Sequence, residues 1–183
     1  MGVGITDEAA RRGDEAPTVE VPFDLEAVFA AHYGRITGII ARVVRDPSRA
    51  EELAVEVFLK LWREPKAHGE GASGWLYRTA VRRALDELRR DTRRARYTRF
   101  LRSVRGVRSP EEIAAAGEER GRVRLVLSVL PRDQAALLLL RSHDLSYREL
   151  AETLGMNPTS IGTLLRRARQ AFRKEYTRRY GNA

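Results

Sequence analysis

Apolar residues recur along this chain at intervals of three and four, with no alternating stretch, so the pattern predicts helices throughout. The first run (Leu25, Val28, Phe29, Tyr33, Ile36, Ile39, Ile40, Val43) predicts a helix to about Arg45. Asp46-Pro47 stops it, because a residue ahead of proline is pushed out of the helical region. In the second run, Leu53, Ala54, Val57, Phe58, Leu61 and Trp62 face one way, with Ser48 and Glu51 spaced as a capping box at its start. Glu64 to Gly74 is a loop by composition. A third helix begins near Ser73 or Gly74 and turns Trp75, Leu76, Ala80, Ala84, Leu85 and Leu88 inward. From Arg99 to about Gly121 apolar content falls, which predicts a linker; Ser109-Pro110-Glu111-Glu112 within it has the makings of a short helix. Helices over Val123–Leu130 and Arg132–Arg141 follow, parted by Pro131.

The stretch Leu145–Arg169 carries the densest local signals. Ser146 and Glu149 form a capping box, and Leu150, Ala151 and Leu154 an apolar stripe. Gly155 ends that helix in a left-handed conformation, and Asn157-Pro158 restarts the chain as cap and preset first turn. Ile161, Leu164 and Leu165 turn inward on the next helix. A small residue, a corner glycine and a β-branched residue in this order suit a helix-turn-helix. Thr159, Ser160, Gly162 and Thr163 would then face outward, with Arg166, Arg167 and Arg169 in reach of phosphate. The expected architecture is all-α: a tail over 1–22, a helical domain over 23–98, a linker over 99–121 and a helix-turn-helix domain over 122–180.

Charge changes the picture from fold to partner. The 183 residues carry a formal net charge of +9, which points to a polyanion, nucleic acid first. The distribution is uneven: residues 1–24 balance at −4, residues 74–108 at +9 and residues 163–180 at +6. Two separated basic zones predict two nucleic-acid contacts. Acids on the second helix (Glu51, Glu52, Glu56) are unhelpful towards DNA and suggest a protein partner. With no cysteine and three scattered histidines, disulfides and thiolate or histidine metal sites are not expected. No apolar run is long enough for a membrane span, and the acidic start does not resemble a signal peptide, so a cytoplasmic protein is expected. No Gly-rich phosphate loop or nucleophile constellation is present, so neither cofactor nor enzymatic activity is expected.

Three segments, Pro47–Trp62, Trp75–Arg90 and Leu130–Gly155, resemble in order and spacing the bacterial RNA polymerase sigma factors, in their compact extracytoplasmic-function class. The resemblance covers about residues 25–178. It implies that Glu51, Glu52, Glu56, Phe58 and Leu61 dock on the clamp helices of the largest subunit of the polymerase core. It implies that Arg78, Arg82, Arg83, Arg89 and Arg90 meet −10 promoter DNA, with the Lys66–Ser73 loop as the wall for an unstacked base. Thr159, Ser160, Thr163 and Arg166 would meet base edges of the −35 element in the major groove, with Arg167 in reach of its phosphates. The resemblance also implies an anti-sigma factor as a further partner. The chain departs from the family pattern at Glu52, Val55, Val81-Arg82, Gly162 and Leu164. A sigma-like DNA-binding regulator that does not itself support initiation therefore stays open as the alternative. On either reading, two bundles joined flexibly are expected to hold their arginine rows open to DNA.

Overall fold

The computed structural model describes residues 23–104 and 115–181, with side chains over 23–98 and 119–181. The expected tail over 1–22 and the short helix at Ser109–Glu112 lie outside these residues. Among those described there are seven α-helices and no strand. They are α1 (Leu25–Ala41), α2 (Pro47–Trp62), α3 (Ala72–Val104), α4 (Ala115–Val129), α5 (Arg132–Arg141), α6 (Tyr147–Leu154) and α7 (Ile161–Tyr180). Short 3-10 turns at Pro65–Ala67 and Pro158–Ser160 lead into α3 and α7.

Helix boundaries follow their caps. Asp24 accepts from the Ala27 N–H at 2.9 Å and opens α1. α2 starts earlier than the Ser48/Glu51 box predicts. Asp46 is its N-cap, accepting from the Ser48 and Arg49 N–H groups at 3.0 and 3.4 Å, and Pro47 takes the first turn. A carboxylate next to a proline outcompetes a serine two residues on, because it caps while the ring presets φ. α1 ends at Ala41, short of the expected Arg45, and Val43 and Val44 bury from the turn that follows. At the other end, the Ser146–Glu149 capping box is present in both directions, at 3.2 and 2.7 Å. Gly155 sits at φ 65°, ψ 38°, where a Cβ would be strained.

Two expectations change. α3 is helical to Val104 and α4 begins at Ala115, so both ends of the stretch read as linker are helix. The larger change concerns the bundles, which were expected to be joined flexibly, their relative placement being left open by the sequence. α3 packs against α1 and α2 on one side and against α4, α5 and α6 on the other. One apolar cluster runs from Ile36 to Leu165 without a break. The physical reason is the width of the buried face of α3: Tyr77 and Val81 join Leu76, Ala80, Ala84, Leu85 and Leu88 in the interior. That doubled stripe is broader than the two helices before it cover, so the second bundle closes over the remainder. Each leucine or valine among them taken out of water contributes about 1.5–3 kcal/mol.

Candidate nucleic-acid interface

The recognition module is built from local signals. Asn157 accepts from the Thr159 N–H at 3.0 Å and the Thr159 hydroxyl at 2.8 Å. With its proton committed there, the Thr159 oxygen is left as an acceptor facing solvent. Thr163 and Arg166 follow on the same exposed face of α7, while Ile161, Leu165 and Ala168 bury the opposite one. Arg167 is exposed beside them and Ser160 is half-buried. An acceptor oxygen, a second hydroxyl and a guanidinium in a row match the donor and acceptor edges of a major groove. Gly162 adds no side chain, and Tyr147 fills the gap: its ring lies 3.6 Å from where a Cβ at Gly162 would stand. The Arg141 guanidinium is 6.0 Å from the centroid of that ring. Tyr147 was not singled out from the sequence; an aromatic at the first position of α6 opposite a glycine on α7 was the available signal.

The α3 arginines divide. Arg82 and Arg90 are exposed, although Arg90 reaches back to Glu87 at 3.2 Å. Arg83 is ion-paired with Glu56 of α2. Arg78 donates to the Thr153 carbonyl at 3.1 Å, and Arg89 to the carbonyls of Ser128 and Leu130 at 3.2 and 3.1 Å. So the open row expected from the sequence is partly closed, because the second bundle lies against it. Arg93, Arg94 and Arg96, further along α3, remain exposed. The loop before α3 is braced by aromatic contacts, with Phe23 stacked on His68 at 3.7 Å and Lys60 lying 5.9 Å from the Trp75 ring. His32 Nδ1 and the Tyr77 hydroxyl are 3.1 Å apart.

On α2, Glu51 and Glu52 face solvent. Phe58 and Leu61 do not: they are 2% and 0% exposed and belong to the core. They were expected on a docking face, but the stripe that packs against α1 and α3 takes them. The outward apolar residues are Val55, Leu59 and Trp62, at spacings of four and three, and Trp62 is 58% exposed. Trp62 was expected to face the same way as Phe58 and Leu61 and does not; Val55 and Leu59, out of phase with that stripe, were the available signal for a second one. Glu56 is half-buried and held between Arg49 and Arg83, so its charge is already partnered. Arg49 also reaches Glu52 at 2.9 Å and Glu87 at 3.3 Å, joining α2 to α3. Among the described residues no group of His, Cys, Asp and Glu could hold a metal ion.

The comparisons with known proteins fall on the same two halves. Sigma-70 region 2 matches residues 28–94, and Sigma-70, region 4 matches residues 120–172. The ECF RNA polymerase sigma factor SigK of Mycolicibacterium vanbaalenii is 34% identical over 167 residues, 82% of each chain. SigK of Mycobacterium tuberculosis is 30% identical over 161 residues, 81% of this chain and 85% of its own. The RNA polymerase sigma-H factor of Pseudomonas aeruginosa is 29% identical over 180 residues, 91% and 90% of the two chains. The sigma factor RpoE from Bartonella quintana, co-crystallised with the anti-sigma factor NepR, covers 83% of this chain and 96% of its own, at 16% identity and a TM-score of 0.49. A basic α3, a helix-turn-helix on α6–α7 and two matched regions in this order have one meaning. The chain belongs to the ECF class of RNA polymerase sigma factors, and it directs the polymerase core to promoters for transcription initiation.

Proposed function

We propose a division of that activity among three surfaces. The outward face of α2, with Val55, Leu59 and Trp62 ringed by Glu51 and Glu52, docks on the clamp helices of the polymerase largest subunit. Exposed apolar side chains at helical spacing supply the buried centre of such a contact, and the acids supply register and steering. The α3 arginines Arg78, Arg82, Arg83, Arg89 and Arg90 hold the backbone of the −10 element. The Lys66–Ser73 segment, from the 3-10 turn to the first residues of α3, supplies the wall against which a strand-opened base is kept. Thr159, Ser160, Thr163 and Arg166 read base edges of the −35 element, while Arg167 anchors its phosphates. Strand opening is driven by this binding. The protein acts in the cytoplasm, where polymerase and promoter meet; no helix among the described residues is long and apolar enough to cross a membrane.

The supporting observation is that the three surfaces lie on different elements and differ in chemistry: apolar and acidic on α2, cationic on α3, hydroxyl-rich on α7. Promoter-specific run-off transcription with the polymerase core is the test. Leu59→Glu is expected to weaken polymerase association at least tenfold and leave duplex binding unchanged. Arg82→Ala is expected to weaken promoter binding for all sequences and lower the salt slope by about one. Transcript at the intact level from Leu59→Glu would refute the docking assignment.

A further inference from the structure

We propose that the groove between the end of α1 and the helices α4, α5 and α7 is a binding site for a fatty acid, its alkyl chain on the apolar floor and its carboxylate among the arginines of the rim. The groove measures about 450 Å³ and opens to solvent. Val43 in the turn after α1, Val123 and Leu127 of α4, Leu138 of α5 and Phe172 of α7 form the floor. Pockets for small molecules run from about 300 to 1,000 Å³ and are mainly apolar, with a few polar groups that orient the guest. This one lies in the lower half of that range, which suits a single alkyl chain. Arg42, Arg169 and Arg173 complete the wall, the last two one helical turn apart. Ser142 also lines it, but its hydroxyl already donates to the Leu139 carbonyl at 2.7 Å. The guanidinium groups are thus the donors that remain for a head group. None of the described residues lining the groove is acidic, and among the described residues no acid pairs with these three arginines.

More uncompensated charge lies beside the rim. The Arg45 Nη2 is 3.9 Å from where a Cβ on Gly121 would stand, so its guanidinium rests against α4. The Arg124 Nε is buried without a hydrogen-bond partner. Burial first, and then Arg45 and Arg120, lower its pKa, and among the described residues no carboxylate offsets them. A guanidinium does not shed its proton in a protein, so such crowding is relieved by an anion and not by titration. A carboxylate matches the guanidinium fork and accepts two bonds from it. An uncharged apolar guest would leave the arginines uncompensated, and a compact inorganic anion would leave the floor wet. Only an amphiphile with an anionic head meets both conditions. The proposed docking face of α2 and base-reading residues of α7 lie outside the groove, so the site is independent of those assignments.

Calorimetric titration of the full chain with sodium dodecanoate, kept below its micelle concentration, is the test. One molecule is expected to bind per chain, about tenfold more tightly than decanoate, because each added methylene leaves water. Arg42→Gln/Arg173→Gln is expected to weaken decanoate and dodecanoate at least tenfold and to leave the weaker binding of decan-1-ol unchanged. Leu138→Trp fills the groove from α5 and is expected to abolish binding of acid and alcohol alike. Dodecanoate should raise the melting temperature only of proteins that bind it, and melts without ligand establish that each variant folds. Should Leu138→Trp not fold, the arginine pair decides alone: undiminished dodecanoate binding there overturns the site. Binding that does not saturate, or that persists in folded Leu138→Trp, would mean adventitious surfactant adsorption only and would also overturn it. Dodecylphosphocholine binding as tightly as dodecanoate would overturn the carboxylate assignment. A ligand-free dimer in sedimentation that Leu138→Trp dissociates would give the groove to a second copy of the chain and overturn the proposal.

Discussion

Arg49 shows how much one side chain can hold. It reaches Glu52, Glu56 and Glu87, and Glu87 retains only 9% of its surface exposed. Without Arg49, the Glu87 carboxylate would stay buried with Arg90 as its remaining partner among the described residues. Leaving a buried charge under-compensated costs far more than an exposed pair contributes. Arg49→Ala is therefore expected to lower stability by about 1–3 kcal/mol in urea unfolding, and Glu87→Gln in that background to recover part of the loss. By contrast, Arg148 pairs with Glu152 entirely at the surface, and its removal should register little. The same distinction governs Glu56. Its charge is spoken for by Arg49 and Arg83, so reversing it would disturb the α2–α3 contact before it disturbed any partner.

At the scale of the element, α6 is short and depends on its cap. Eight residues are too few for a helix to persist on propensity, and the Ser146–Glu149 box satisfies two donors that would otherwise be orphaned. The Ser146 backbone N–H and hydroxyl hold the Glu149 carboxyl below its ordinary value. A carboxylate whose pKa is depressed on folding contributes stability above its unfolded value, about pH 4.5. That contribution disappears as pH falls through the lower, folded value. Glu149→Ala should thus cost about 1 kcal/mol at pH 7, and the difference from the parent should shrink towards zero in melts taken at progressively lower pH. A penalty that persisted at pH 2 would mean that packing rather than the cap is responsible. α2 illustrates the other side of element design, with Leu53, Ala54, Val57, Phe58 and Leu61 inward and Val55, Leu59 and Trp62 left out. Two apolar faces on one helix are costly in water unless something covers the second.

For the molecule as a whole, the seam between bundles passes His143. Its ring approaches Gly38 of α1, and burial with Arg42 and Arg35 nearby lowers its pKa, opposed weakly by Asp144. Its Nε2 is buried without a hydrogen-bond partner. A histidine whose pKa is depressed by burial in the seam stabilises the packed arrangement of the bundles above its ordinary, solvent-exposed pKa, near 6.5, and withdraws that support as pH falls through the lowered value. The separation between the bundles is expected to increase between pH 7.5 and about pH 5, read as a larger radius of gyration in solution scattering. His143→Gln should flatten that dependence. A radius constant across the interval in the parent protein would show that His143 protonation does not act on the seam.

Helical periodicity, the corner at Gly155, the capping box and the two basic zones were all legible in the sequence, because each depends on residues a few positions apart. The family resemblance was legible for the same reason, carried by three contiguous segments. What local spacing does not contain is the partner across a gap of fifty or a hundred residues. Nothing near Arg78 or Arg89 announces a carbonyl at Thr153 or Leu130, and an arginine row reads the same whether it faces phosphate or a helix terminus. Phe58 and Leu61 were legible as part of the apolar face of α2, but the resemblance assigned them to a docking surface, and only packing against α1 and α3 shows that the core takes them. The chain alone therefore determines which helices form and what chemistry they carry. Tertiary structure decides which of that chemistry is spent inside the molecule, because burial and pairing are properties of the assembled core.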